Sequence, residues 1–318
     1  MPSVPTAPCP ASPQYAALNK PLGVGFSYIA SLPSELYRPE VVDFVEITPE
    51  TLCRSRRDGR ALTLELVPHR LEPARAVCSA LPIVVHGVEL SIGSALHCNE
   101  AYLDMLDRFQ KVWPFLWHSE HLSYQTIPGD DRTPLSIGVP LPLPGTDEVV
   151  RLVGDRAASI RSRYGVPFLL ENPAHYLRKL PYEPDIGDEI GLMNAITEHG
   201  RCGQLLDLHN LYCNALNHGF DAVSAIDRIN LDQVIEIHVA GGRRQDEYWM
   251  DTHDGRVPAA VWDLLDYTLP SCKNVVGVVF ELINYHAGRM TADAIAGELG
   301  RAHESWRNYR PRTVVTWE

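Results

Sequence analysis

Eight short apolar runs, each ending at a turn, constrain the fold of this chain more than any other feature of its sequence. A run of four to eight residues rich in Val, Ile and Leu is typical of a strand buried on both faces. Helix-like stretches separate the runs, so the pattern predicts an α/β fold in a single domain, a (β/α)8 barrel of the TIM type. The runs are residues 23–28, 43–50, 82–88, 117–123, 166–173, 202–210, 233–242 and 275–283.

The segments between these runs predict helices and two long loops. Residues 148–164 repeat apolar side chains at helical spacing, and Gly165 follows as a natural end of the helix. Residues 125–144 and 177–187 are polar or rich in proline and predict loops over the barrel mouth, where substrates usually bind. The predicted helices are 99–112, 148–164, 188–199, 258–269 and 291–307.

Charge and cysteine content narrow the class of function. The formal net charge is −12, from 40 acidic and 28 basic side chains, which disfavours nucleic acid because phosphate binding requires a basic surface. Seven scattered cysteines without a CxxC pair favour a reducing cytoplasm over a disulfide framework. No apolar run is long enough to cross a membrane. Residues 1–19 are rich in proline and predict a disordered leader, with the barrel spanning residues 20–318.

Side chains able to bind metal ions stand where the predicted strands end, and the carboxyl ends of the strands carry the chemistry of such barrels. Asp251 and His253 form a further Asp-x-His pair in a loop. Carboxylate, imidazole and amide donors together favour iron, manganese or zinc over calcium. Their number exceeds what one ion can use and predicts two or three metals with bridging carboxylates. The residues at the strand ends are His86, Glu120, His121, Glu171, Asp207, His209, Asn210, His238 and Glu281.

Alternation along a strand assigns these side chains to faces. In the segment WHSEH, it separates Glu120 and His118 from His121, and we expect Glu120 to face the interior with His121 in a supporting role. In LLDLHN, Asp207 and His209 are expected on one strand face, with Asn210 in the turn.

Plainer explanations exist for several of these residues taken singly. His86 could be a structural hydrogen-bonding group, and Glu171 could cap a helix. Asp251 and His253 could lie in a solvated turn.

Several motifs together resemble, in order and spacing, the multinuclear non-heme iron-dependent oxidative enzymes, which include the methanobactin-biosynthesis oxidase. The resemblance implies a TIM-type barrel with two or three irons in mixed Fe(II) and Fe(III) states, and dioxygen as the co-substrate. It also implies a precursor peptide as substrate and a small partner protein that binds the leader of that peptide. The motifs are HGVELSIG, SEHLSY, LLENPAHY, LLDLHNLY, EIHVAGG, DTHDGRVPAAVW and FELIN.

Matched motif by motif, the resemblance also implies site residues. Glu120, Asp207 and His238 would be catalytic, with Asn210 and Glu171 in or beside the metal centre. Two departures stand out: Thr48 replaces a frequent His, and Leu282-Ile283 replaces a common Trp-Asp pair. The implied iron ligands are His86, Glu120, Asp207, His238, Asp251, His253 and Glu281.

The function expected from these features is peptide modification at a Cys or a C-terminal Asp. The loop at residues 125–144 is a candidate surface for the partner protein or the peptide. Two alternatives stay open. One is a divalent-metal hydrolase or isomerase of the xylose-isomerase-like barrels, and the other is a non-enzymatic metal-binding scaffold.

Overall fold

Eight parallel strands close into a barrel in a computed structural model of the chain. The structure describes residues 21–58, 61–96, 98–128, 134–177, 180–283 and 287–309, so the predicted leader lies outside the described residues. In chain order the strands are β1 (Gly23–Ser27), β2 (Phe44–Ile47), β3 (Cys53–Asp58), β4 (Ala61–Leu66), β5 (Ile83–Gly87), β6 (His118–His121), β7 (Tyr124–Pro128), β8 (Pro134–Leu141), β9 (Phe168–Glu171), β10 (Gly203–Asp207), β11 (Val234–Ala240), β12 (Arg243–Gln245), β13 (Tyr248–Met250) and β14 (Gly277–Glu281).

The barrel strands follow the order β1-β2-β5-β6-β9-β10-β11-β14, and β14 pairs with β1 to close the ring. Each of the eight predicted runs contains one of these strands, so the predicted (β/α)8 barrel is confirmed. The helices are α1 (Pro68–Val77), α2 (Glu100–Val112), α3 (Asp147–Tyr164), α4 (Glu189–Gly200), α5 (Leu208–His218), α6 (Ala222–Ile226), α7 (Ala259–Thr268) and α8 (Ala292–Tyr309).

Local signals explain where the predicted helices begin and end. The side chain of Asn99 accepts a hydrogen bond from the backbone N–H of Tyr102 at the start of α2. Thr146 caps α3 in the same way, and Gly165 ends that helix in the left-handed conformation at φ +67°. None of the helices that the structure describes is long and apolar enough to span a membrane.

A cluster of apolar side chains fills part of the interior of the barrel. The ring of Phe44 fits there because Gly25 and Gly277 have no side chain: a Cβ on either would lie 2.5 or 2.6 Å from a ring carbon. The core of the barrel is therefore packed, which leaves the carboxyl ends of the strands for chemistry. The buried members of this cluster are Phe44, Val84, Trp117, Leu169, Leu205, Ile235, Val276 and Val279.

Residues 125–144 do not form the predicted loop. Most of them belong to the antiparallel hairpin of β7 and β8, in which Thr126 pairs with Ser136 and Ile127 with Leu135. Alternating Leu135, Ile137 and Val139 is a strand pattern that the neighbouring prolines obscure. Two further hairpins, β3–β4 and β12–β13, follow β2 and β11. The described residues of the second predicted loop, 177 and 180–187, contain no helix or named strand.

Candidate metal centre

Five imidazoles and six carboxylates converge inside the barrel at the carboxyl ends of its strands. Most of them are fully buried, so their polar atoms must be paired with one another or with a bound ion. Strands β2, β5, β6, β9, β10, β11 and β14 supply eight of them, α5 supplies one, and the segment after β13 supplies two. They are Glu46, His86, His121, Glu171, Asp207, His209, Glu236, His238, Asp251, His253 and Glu281.

One group forms around Glu171 at the end of β9. Its Oε2 lies 3.2 Å from Nε2 of His86 and 3.1 Å from Nε2 of His121. Nδ1 of His86 is 3.0 Å from the hydroxyl of Ser119, which orients the ring so that Nε2 faces the carboxylate. The side-chain amide of Asn210 donates to Oε1 of Glu171 at 2.9 Å and holds the carboxylate in place.

A second group has His238 at its centre. Its Nε2 lies 2.9 Å from Oε2 of Glu46, and its Nδ1 lies 3.0 Å from Oε2 of Glu281. Oδ2 of Asp207 is 3.9 Å from the same Nδ1. Both ring nitrogens of His238 are therefore surrounded by carboxylates from three other strands.

The segment after β13 contributes a third group. Nε2 of His253 lies 2.7 Å from Oδ1 of Asp251, and its Nδ1 lies 3.5 Å from Oε1 of Glu281. His209 contacts Asp251 at 2.9 Å through Nδ1, and Trp249 donates to the other ring nitrogen of His209 at 3.2 Å. His253 adopts φ +46°, which is uncommon for a residue with a side chain and is often found at functional sites.

Shared residues join these groups into one centre. Five sets of three candidate ligands have donor atoms within 4.8 Å of one another: His86, His121 and Glu171; Glu171, Asp207 and His238; Glu46, His238 and Glu281; Asp207, His253 and Glu281; and His209, Cys213 and Asp251. Glu171, Asp207 and Glu281 each belong to two sets. Carboxylates shared in this way are the usual bridges between metal ions a few ångströms apart.

The donor atoms fit a metal centre because many of them lack a hydrogen-bond partner. An unpaired buried polar atom is costly, and a cation at the centre would satisfy several of them at once. Several of these atoms lie near one another, as Glu171 Oε2 does to His86 and His253 Nε2 does to Asp251, but without the alignment that a hydrogen bond requires. Among the described residues, the buried side-chain atoms of this centre without a hydrogen bond are His86 Nε2, His121 Nδ1, Glu171 Oε2, Asp207 Oδ2, Asn210 Oδ1, Glu236 Oε1, and Nδ1 and Nε2 of His253.

The pKa values in this centre reflect the negative charge of several carboxylates that lie close together. Burial lowers the pKa of His121, but the carboxylates around it, Glu171 foremost, together outweigh burial and raise the imidazole pKa to about 9. Burial lowers the pKa of His253 as well, whereas the nearby charge of Asp251 raises it, and the net result is a raised pKa. Burial, with Glu171 beside it, raises the pKa of Asp207 well above its ordinary value. The carboxylates thus require compensating positive charge, which protons or metal ions can supply.

Two carboxylates of the centre escaped the sequence prediction. Glu46 contacts His238, and Glu236 accepts a hydrogen bond from Nε1 of Trp117 at 2.7 Å. Both are isolated acids inside otherwise apolar runs, VEI and VIEI, and that isolation was a usable signal. Burial, with Glu46 nearby, raises the pKa of Glu236 to about 8.

The predicted orientation of the β6 strand is wrong. His121 faces the centre, whereas Glu120 lies on the opposite face, with Oε1 3.3 Å from Nε2 of His118. Tyr102 of α2 contacts the same imidazole nitrogen at 3.1 Å. The reason is the position of Trp117, which belongs to the cluster inside the barrel and sets the alternation of the strand. The structure therefore does not bring Glu120 into the sets of candidate ligands.

The β10 strand ends earlier than expected. Asp207 is both its last residue and the N-cap of α5, where it accepts a hydrogen bond from the backbone N–H of Asn210 at 2.6 Å. His209 and Asn210 consequently project from the first turn of a helix and not from a strand face or a turn. Of the sequence-predicted site residues, the structure brings together His86, Glu171, Asp207, Asn210, His238, Asp251, His253 and Glu281.

The two departures from the family motifs are visible here. Thr48 precedes the short helical turn Pro49–Leu52 and belongs to none of the candidate ligand sets formed by described residues. Leu282 is buried, and the backbone N–H of Ile283 donates to the carbonyl of His253 at 3.3 Å. Neither position offers the imidazole or carboxylate that the family motif commonly has there.

A cavity of about 420 Å³ lies outside the barrel and away from this centre. Leu206 of β10 lines it, whereas the neighbouring Asp207 faces the centre on the other side of the strand. Residues of α4, α5 and α6, among them Met193, Leu211 and Ala225, form most of its apolar wall. The cavity is therefore separate from the candidate ligands.

The barrel and its converging strand ends define a class: α/β barrels with a buried site of histidines and carboxylates at the mouth. L-ribulose 3-epimerase has the same fold, with a TM-score of 0.52, 13% identity, and coverage of 90% of this chain and 95% of that chain. A xylose isomerase-like TIM barrel protein from Mycobacterium smegmatis, solved in complex with magnesium, also has this fold. The TM-score is 0.52 and the identity is 13%, with coverage of 91% of this chain and 97% of that chain. At such low identity the likeness shows the fold alone.

The family is identified by sequence. The sequence model of one protein family, described as RiPP precursor modification enzyme MbnB/TglH/ChrH, matches residues 23–286. This chain therefore belongs to that family. A UPF0276 protein of Caulobacter vibrioides is 32% identical over 279 residues, 88% of this chain and 90% of the relative. A UPF0276 protein of Anaeromyxobacter is 35% identical over 229 residues, 72% of this chain and 74% of the relative. The predicted resemblance is confirmed, and with it a precursor peptide as the class of substrate.

Proposed function

We propose that this chain is a multinuclear non-heme iron enzyme that uses dioxygen to oxidise a ribosomally made precursor peptide at a Cys or a C-terminal Asp. The observation that supports it best is the set of carboxylates shared between neighbouring groups of candidate ligands. Imidazole and carboxylate donors are also the ligands of non-heme iron oxygenases.

The candidate ligands divide into positions for two or three ions. His86, His121 and Glu171 would hold one ion at the β5, β6 and β9 side. When bound, iron supplies one-electron redox chemistry and open coordination positions for dioxygen and substrate. The remaining ions would lie among Glu46, Asp207, His209, His238, Asp251, His253 and Glu281.

Supporting hydrogen bonds would keep these ligands in place. Asn210 donates to Glu171, and Trp249 donates to His209, so neither ligand rotates freely. Partners of this kind tune metal affinity and activity by about 10-fold to 100-fold. Burial of the centre would exclude bulk water from the reacting groups.

A flexible peptide also suits the mouth of the barrel. Three hairpins follow barrel strands at their carboxyl ends, and Leu135 and Val139 of the β7–β8 hairpin are about half exposed. We propose that this hairpin, which follows β6 after only two residues, forms part of the surface that meets the peptide or a small partner protein. A second binding site for the leader would raise the effective concentration of the reacting segment.

The experiment is elemental analysis and oxygen consumption on protein made in iron-supplemented cells. We expect two to three irons per chain, since the ligands exceed what one ion uses, and oxygen uptake on addition of full-length precursor peptide with its partner protein. The isolated core segment should react far more slowly. One stoichiometric zinc without iron would contradict the proposal and favour a hydrolase or isomerase. Metal binding without turnover of any candidate precursor would favour a scaffold.

A further inference from the structure

Two arginines at the barrel mouth converge on one carboxylate beside the metal centre. Nη1 of Arg243, in β12, lies 2.6 Å from Oδ2 of Asp254, and Nη1 of Arg289 contacts the same oxygen. Oδ1 of Asp254 accepts a hydrogen bond from the hydroxyl of Thr252 at 2.7 Å. Asp254 itself is buried. The carboxylate thus anchors both guanidinium groups through one of its oxygens.

The arginines retain donors that face solvent. Each guanidinium has five N–H donors in a planar fork, and the contacts described with Asp254 use only Nη1 of each. The side chain of Arg243 is 43% exposed and that of Arg289 is 49% exposed. One buried carboxylate thus stands between two guanidinium groups, in a chain whose net charge is −12.

The pair lies next to the candidate ligands. Asp254 directly follows His253, whose ring contacts Asp251 and Glu281. Arg243 follows β11, which carries His238, and Arg289 follows β14, which ends at Glu281. The arginines therefore belong to segments that follow two neighbouring strands of the ring.

We propose that Arg243 and Arg289 bind a carboxylate of the substrate peptide and so position the reacting residue at the metal centre. The carboxylate is either the C-terminal carboxylate or an acidic side chain near the modified position. A planar guanidinium matches a carboxylate with two parallel hydrogen bonds, which gives direction as well as attraction. The proposal rests on the peptide-modifying function proposed above and adds a feature that the substrate must carry.

The arginine pair would give the substrate one register. Asp251 and Glu281 would be occupied by the metal ions, whereas the guanidinium groups of Arg243 and Arg289 are fixed positive charges beside the centre with donors left for a substrate carboxylate. A peptide that carries its carboxylate at another position would then bind in a poorer register.

The test is equilibrium binding of short synthetic Cys-containing peptides to the iron-loaded protein, measured by fluorescence anisotropy without turnover. One peptide has a free C-terminal carboxylate, one is C-terminally amidated, and one is amidated but carries an Asp side chain. The protein variants are Arg243→Gln and Arg289→Gln. Arg244→Gln is the matched control, because Arg244 lies in the same hairpin and its Nε donates to the carbonyl of Asp246.

We expect both variants to weaken binding of at least one carboxylate-bearing peptide by about ten-fold, which corresponds to the loss of one charge-assisted hydrogen bond. The amidated, neutral peptide should bind the wild type as weakly as it binds the variants. Comparison of the two acidic peptides decides between the C-terminal carboxylate and the side chain. The control variant should bind all three peptides like the wild type.

Two results would overturn the proposal. Equal binding of acidic and neutral peptides by the wild type would show that no carboxylate is recognised. An equal loss for all three peptides in the variants, accompanied by a lower melting temperature, would show that the arginines only fasten the segments around Asp254. Failure of the oxidase function would appear as absent oxygen uptake by the wild type, whereas this binding test uses no turnover.

Discussion

At the scale of single residues, the candidate centre is distinguished by its buried carboxylates, because each has lost the water that normally stabilises its charge. Glu171 and Glu120 are a comparable pair of buried carboxylates. Both are about 1% exposed, and they lie on adjacent strands. Glu171 contacts two imidazoles of the centre, whereas Glu120 contacts His118 and lies on the other face of β6. Burial raises the pKa of Glu120 to about 7.

The pair gives a matched test of the metal centre. We expect Glu171→Gln to lower metal affinity by at least about ten-fold, because it removes a charged ligand shared by two groups. Glu120→Gln should retain the wild-type metal content. Elemental analysis after dialysis against a weak chelator measures both, with circular dichroism as the check on folding. Equal loss of iron in the two variants would show that Glu120 also supports the metals.

A second residue-scale prediction concerns Glu50. Its Oε1 accepts hydrogen bonds from the backbone N–H groups of Val88 and Glu89, and its Oε2 is buried without a hydrogen-bond partner in the described chain. Burial, with Glu120 nearby, raises the pKa from the ordinary 4.5 to about 8. The protonated carboxyl therefore stabilises the folded state below the unfolded pKa, and that contribution is lost as the pH rises towards the folded value.

We expect the free energy of unfolding of Glu50→Gln to fall less steeply with pH than that of the wild type between about pH 5 and 8. The difference is at most about 1.4 kcal/mol per pH unit, the effect of one proton. Urea unfolding at several pH values measures it. Glu148→Gln, at an exposed position of α3, controls for the loss of a carboxyl. Parallel curves for wild type and Glu50→Gln would contradict the assignment.

At the scale of elements, the contact between α2 and the barrel requires a glycine. A Cβ on Gly87, the last residue of β5, would lie 2.0 Å from Oε1 of Glu120 and 2.1 Å from the hydroxyl oxygen of Tyr102. Both neighbours are buried, so neither moves aside without cost. Glu120 and Tyr102 can occupy their positions beside β5 only because Gly87 has no side chain.

We therefore expect Gly87→Ala to destabilise the protein by about 1–3 kcal/mol, the usual effect of overpacking. Gly300→Ala is the control: Gly300 lies within α8 and nothing stands within 4 Å of its added Cβ. That change should stabilise the protein by up to about 1 kcal/mol, because alanine favours helices. Urea unfolding of both variants tests the prediction, and a neutral Gly87→Ala would mean that α2 can shift outward freely.

At the scale of the whole molecule, the centre ties the barrel strands together. Its candidate ligands come from seven of the eight barrel strands, so bound metal favours the closed barrel over the unfolded chain. A ligand at 100 times its dissociation constant stabilises the folded state by about 2.7 kcal/mol.

We expect removal of metal by a chelator to lower the melting temperature, and restoration of iron to raise it again. His238→Ala should show a much smaller response, because His238 belongs to two of the ligand groups. Thermal unfolding with and without chelator measures the difference. A melting temperature that does not depend on metal in the wild type would mean that the centre contributes nothing to the stability of the barrel.

Much of this architecture was predictable from local patterns. A strand buried on both faces must be continuously apolar, so all eight barrel strands could be located without knowledge of their neighbours. Polar residues at strand ends likewise indicated where the centre lies, and eight predicted site residues meet there. Helix ends followed from short-range signals such as Asn99 and Gly165.

The sequence by itself thus determined the barrel, its family and the end at which the centre lies, because these depend on periodicity and on motifs a few residues long. The tertiary structure alone decided which face each strand turns inward. In β6, adjacent residues point to opposite faces, and only the packing of Trp117 inside the closed barrel places His121, and not Glu120, at the centre. Glu46 and His238 meet although 192 positions separate them, because closure of the ring brings their side chains together across its interior. Such contacts depend on the register and curvature of all eight strands at once, which no local pattern contains.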